Sequence, residues 1–141
     1  MSIPELDNLV KIGKLKVELG TRAEFDGLVD SARKRLADAR NESLADQSRF
    51  DLAYNAAHGL ALAALRQKGY RSENRYIVFQ ALIHTVGMDA PTCRVLSKAH
   101  NERNLAEYEG RSEVDQQLLS ELIRSATRLE TAVAKLKPPE E

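Results

Sequence analysis

Between His100 and Gly110 the chain reads HNERNLAEYEG. Several of these side chains suit phosphate chemistry. On a helix, His100, Asn104 and Tyr108 recur at a spacing of four, and Arg103 and Glu107 form a second line one residue away. A guanidinium beside a carboxamide is a good donor set for phosphate. Histidine titrates near neutral pH and suits proton transfer, whereas tyrosine stays protonated unless its surroundings shift it. The competing reading is a solvated helix face with one tyrosine packed inward. In it Arg103 and Glu107 form an i, i+4 pair in the weaker charge order, worth about 0.2–0.5 kcal/mol.

A second polar line lies upstream, in RFDLAYNAAHGLALAALRQKGYR. Asp51, Asn55 and His58 fall at i, i+4 and i+7, one stripe on an otherwise apolar helix. Beside it run Leu52, Ala56, Gly59 and Ala63, a row that lets another backbone come close. Gly59 in mid-helix costs about 1 kcal/mol against alanine, and close packing is the simplest offset. A hydrogen-bonded or exposed seam is the plain alternative for the polar stripe.

Other chemistries lack their residues. No glycine-rich loop follows a strand, no Cys-x-x-Cys or His-x-x-x-His zinc spacing occurs, and there is no nucleophile elbow. His58, His84 and His100 are scattered, and no Glu-x-x-His pair of the di-iron kind is present. Neither metal nor cofactor is expected.

Helices must position these residues. Ile3 to about Val17 reads as the first, with Gly20 as its C-terminal cap. Thr21 and Glu24 form a capping box for the second, whose stripe is Phe25, Leu28/Val29, Ala32, Leu36 and Ala39. After polar residues 40–43 a long helix runs from about Leu44 or Ser48 to Lys68, closed by Gly69. A shorter helix follows from about Glu73 to Val86. Pro91 then opens a helix that ends at Gly110. Ser112 is expected to cap the last, whose apolar positions run from Val114 to Leu136. No sustained alternation or Asn-Gly hairpin signal appears.

The expected fold is all-α: an up-and-down antiparallel bundle of four to five core helices plus an N-terminal helix or hairpin. Residues 1–137 form one domain, with a helical hairpin over 1–40, a core over 44–136 and a frayed tail at 138–141.

The bulk numbers agree. The chain has 141 residues, 43% of them hydrophobic and 30% charged, which is globular rather than disordered. Lysine plus arginine equals aspartate plus glutamate, 21 each, so any nucleic-acid role needs placed arginines rather than a global pull. Cys93 is the only cysteine and reads as a small buried apolar residue. The start MSIPELDNLV has no basic, apolar leader pattern, and no stretch nears the ~18 apolar residues of a membrane span. A cytoplasmic protein without membrane contact is expected.

The helix FDLAYNAAHGLALAALRQKGYR resembles the second helix of HEPN domains, and ERNLAEYEG resembles that family's late-helix Arg-Asn-x3-His motif. The resemblance covers about residues 44–136. It implies a helical bundle, usually a dimer, in which motif arginine and histidine from two chains line a cleft that cuts RNA without metal. Many such members are toxins encoded beside a nucleotidyltransferase-like antitoxin. The motif arginine falls on Arg103 and the asparagine on Asn104, but the histidine slot falls on Tyr108. The helix of residues 91–109 is expected near the dimer contact.

Three functions follow as expectations. The first is a HEPN-like protein that binds RNA or nucleotide with weak or no nuclease activity, as part of a toxin–antitoxin or defence locus. Arg103 and Asn104 would hold phosphate and Tyr108 would orient or stack, with Asp51, Asn55 and His58 lining the same cleft. The second is a non-catalytic protein-binding adaptor. The third is a metal-independent endoribonuclease toxin with His100 as base. The nucleotide readings place the Arg103 guanidinium and the Tyr108 phenol in one shared hollow.

Overall fold

The structure, a computed structural model, describes residues 3–110 and 113–140. It is an all-α bundle with one very small β-ribbon. In chain order the elements are α1 (Pro4–Lys11), β1 (Lys16–Val17), α2 (Arg22–Ala39), α3 (Asp46–Gln67), β2 (Tyr70–Arg71), α4 (Arg75–Gln80), α5 (Leu82–Thr85), α6 (Ala90–Glu109) and α7 (Gln116–Ala134).

Helix α3 is the axis. It packs on α2, α4, α5, α6 and α7, and its contact with α2 is the most extensive in the molecule. Its alanines make this possible. Ala53, Ala56, Ala57, Ala61, Ala63 and Ala64 are all buried, so neighbours close around the helix rather than along one stripe. The outer helices bury one face each. Phe25, Val29, Ala32, Leu36 and Ala39 of α2 point inward, as do Leu118, Leu122, Ala126, Leu129 and Val133 of α7. Cys93 is buried too. Among the described residues no helix is long and apolar enough to cross a membrane.

The N-terminal segment departs from the single helix expected to Val17. Helix α1 stops at Lys11, the chain turns at Gly13, and Lys16–Val17 pairs antiparallel with Tyr70–Arg71. The reason lies in Arg66, which is only 4% exposed. Its guanidinium donates to the carbonyl oxygens of Glu18 (2.6 Å), Leu19 (3.2 Å) and Tyr70 (3.3 Å) and to the Glu24 carboxylate (2.8 Å). Those carbonyls are available only in extended chain, so the buried cation favours ribbon over helix there. Gly20 is therefore no helix cap. A Cβ at Gly20 would sit 2.9 Å from the Arg66 carbonyl oxygen, so glycine is required by close approach.

Thr21 caps α2 by accepting from the Glu24 N–H at 3.1 Å. The Glu24 carboxylate, expected to complete the capping box, pairs with Arg66 and Arg71 instead. The helix expected over residues 73–86 is interrupted at Ala81, where the His84 N–H bonds back three residues and tightens the turn. Ser112, the expected cap of the last helix, lies outside the described residues. Helix α7 starts later, and the Asp115 carboxylate accepts from the N–H groups of Gln117 (2.9 Å) and Leu118 (3.3 Å).

Candidate functional site: a cationic aromatic cluster between α3, α4 and α6

Tyr54 of α3 is fully buried and stands at the centre of the cluster. Two guanidiniums lie over its ring. The Arg103 Cζ is 5.0 Å from the centroid and the Arg75 Cζ is 5.5 Å away. Contacts of this kind are attractive because the ring face is electron-rich, and they strengthen as water is removed. Arg75 also donates to the Asn55 side-chain oxygen at 3.0 Å. Phe79 meets the rings of Tyr54, His58 and His100 edge-on, at centroid distances of 5.8, 6.0 and 6.4 Å. Tyr76, half exposed, tilts against His100 at 6.2 Å.

Helix geometry explains the convergence. Tyr54, Asn55 and His58 share one face of α3 at spacings of three and four, and His100, Arg103 and Asn104 do the same on α6. Helix α4 lies against both and brings Arg75 and Phe79 to the gap.

His100 is held at both nitrogens. The Tyr54 hydroxyl lies 2.8 Å from Nδ1 and the Asn104 amide nitrogen 3.3 Å from Nε2. A neutral ring has one donor and one acceptor nitrogen, and these two contacts engage both. Burial lowers the His100 pKa, and Arg75 and Arg103 lower it further. His58 is pushed down to about 4, first by burial and then by Arg75, His100 and Arg103. Both rings are therefore uncharged at neutral pH, and the cluster's charge sits on the two arginines.

A hollow of about 590 Å³ adjoins the cluster, bounded by the start of α3, the second half of α6 and the entry to α7. Arg103 is the residue common to both. Its guanidinium also pairs with Glu107 at 3.7 Å. Among the described residues the hollow's rim is acidic, with Asp51, Glu102, Glu107, Glu113 and Asp115 against the guanidinium of Arg103. An electronegative lining disfavours an anion such as phosphate there.

The structure brings together His58, Asn55, His100, Arg103 and Asn104. It leaves two expected site residues outside the cluster. Asp51 lines the acidic hollow. Tyr108 is 86% exposed and does not line the hollow that Arg103 enters. The expectation that Arg103 and Tyr108 share one hollow is corrected for the single chain. Five residues along a helix turn the side chain by about 140°, so the two leave α6 on different faces. Among the described residues no group of three or more His, Cys, Asp or Glu side chains is placed to hold a metal ion.

Sequence reasoning missed Tyr54, Arg75 and Phe79. Tyr54 and Phe79 read as core residues, which they also are. Arg75 carried a usable signal. It occupies the first position of α4, the end of a helix that disfavours cations.

No family model matches the chain, and no curated protein does.

Proposed function

We propose that this chain is a HEPN-like protein that binds RNA or a nucleotide, with weak or no nuclease activity, and serves in a toxin–antitoxin or defence locus. One observation carries the reading: Arg75 and Arg103 stand over one buried tyrosine with the amides of Asn55 and Asn104 beside them. Among the described residues Arg75 has no carboxylate within 4 Å. A cation held this way is available to an anion, and the fork of a guanidinium matches a phosphate's oxygens. Aromatic faces such as that of half-exposed Tyr76 suit a base.

Weak or absent cleavage follows from the same geometry. A general base works best with a pKa near the working pH. His58, at about 4, is too weakly basic, and His100 has a hydrogen-bond partner at each nitrogen and a pKa lowered by burial and the two arginines. Tyr108, in the family's histidine slot, stands in solvent.

The proposal includes a homodimer with its contact near α6, and a nucleotidyltransferase-like partner. Exposed Leu105 and Tyr108 on α6 support a contact there. A second reading, a protein-binding adaptor, draws its support from the acidic hollow.

The test uses labelled RNA in EDTA with wild type, Arg75→Ala, Arg103→Ala and His100→Ala, the protein's mass being followed by light scattering. The expected result is a dimer that retains RNA, loses at least tenfold in affinity with either arginine variant, and cleaves slowly or not at all. A monomer with no affinity for RNA or nucleotide would contradict the proposal. Rapid cleavage abolished by His100→Ala would instead establish the ribonuclease.

A further inference from the structure

The acidic hollow beside Arg103 has the chemistry of a different ligand. Its floor is apolar, made of Phe50 and Leu118, both buried, with half-buried Ala106 and Val114 at the sides. Among the described residues its rim carries five carboxylates against the guanidinium of Arg103, so the groove is locally acidic on a chain whose formal charge is zero. Three rim carboxylates, Glu102, Glu107 and Asp115, already have partners within the fold. Glu107 pairs with Arg103, and Asp115 caps α7. Asp51 and Glu113 are both exposed, and among the described residues neither lies within 4 Å of a cationic side chain.

We propose that this groove between α3, α6 and α7 docks a basic amphipathic helix of a partner protein, with apolar side chains on the Phe50–Leu118 floor and lysine or arginine heads against Asp51 and Glu113. The charge decides the class of occupant. Nucleic acid would bring phosphate to a carboxylate rim, which is repulsive, whereas a lysine or arginine lays its methylene stem on apolar surface and keeps its charged head at the edge. The volume is that of a socket for a few side chains rather than a broad obligate interface, so the contact is transient and salt-sensitive. The inference is independent of nucleotide binding at the Tyr54 cluster and joins it only through Arg103. Engagement of Glu107 by an incoming cation would free Arg103 toward the cluster.

The probe is a fluorescein-labelled helical peptide of about 14 residues built from leucine, lysine and alanine, with leucines on one face. Its control replaces every lysine with glutamate. Anisotropy is measured on the full chain, on Asp51→Lys with Glu113→Lys together, and on the milder pair Asp51→Asn with Glu113→Gln. The expected result is saturable binding of the basic peptide, at least tenfold weaker for the charge-reversed chain and intermediate for the neutral pair. The control peptide should not bind, and methyl shifts in NMR should centre on Ala106, Val114 and Leu118. Circular dichroism on each variant confirms that it is folded. Equal binding by wild type and charge-reversed chain, shifts located elsewhere, or no binding by wild type would each overturn the proposal. So would self-association that buries the groove and excludes the peptide, since a second copy would then be its occupant.

Discussion

At the residue scale, the decisive feature is that two arginines rather than two histidines carry the charge around Tyr54. His58 shows what this costs. Its pKa of about 4 in the folded chain lies below the ordinary 6.5, so the unfolded chain binds its proton first. The stability that His58 contributes is complete above about pH 6.5. It declines as the pH falls toward 4, and below that the ring is protonated in both states and nothing more is lost. The whole effect is up to about 3 kcal/mol. Denaturant unfolding between pH 7 and pH 4.5 should therefore show a steeper loss for wild type than for His58→Gln, which retains the carboxylates and lacks the imidazole. Parallel curves would contradict the burial and cation contacts assigned to this ring. The polar half of the cluster was legible in the sequence, because Asn55 and His58, and His100, Arg103 and Asn104, repeat at helical spacing. Tyr54 was not, and Arg75 showed only as a cation at a helix start, because periodicity orders residues within a helix and says nothing about which helices meet.

At the element scale, two glycines separate what spacing predicts from what packing requires. Gly59 was expected to be a glycine forced by close approach. A Cβ there would meet the Ala32 Cβ and the Leu28 carbonyl oxygen of α2 at 3.6 Å, an ordinary contact. Gly59→Ala should thus raise stability by about 0.5–1 kcal/mol through the helix preference of alanine. Gly20, expected only to end a helix, faces backbone at 2.9 Å, and Gly20→Ala should destabilise by about 1–3 kcal/mol as the ribbon moves off Arg66. Thermal unfolding of both variants checks the pair, and a reversal of either sign would contradict it. The β-ribbon escaped the sequence because each strand has only two residues and its cause is a buried arginine 48 positions from Glu18. The helices were legible because their stop signals are local. Gly69 and Gly110 do close α3 and α6 in left-handed conformations, with φ of +89° and +68°.

At the scale of the whole molecule, a formally neutral chain sets two places of opposite local charge side by side. One is the aromatic cluster with its two guanidiniums, and the other is the carboxylate-rimmed groove, with Arg103 at the boundary. Composition alone could not show this, since a zero sum hides any arrangement of its parts. The most direct test of the central claim follows the imidazole signals of His58 and His100 by NMR as a short RNA is added in EDTA. A phosphate seated on Arg75 and Arg103 offsets the positive field that holds both rings unprotonated. Both histidine pKa values should then rise in the complex, and neither should rise in the Arg75→Ala, Arg103→Ala double variant. Histidine titrations unchanged by saturating RNA, or RNA binding that leaves these rings unmoved and survives the double variant, would contradict the account.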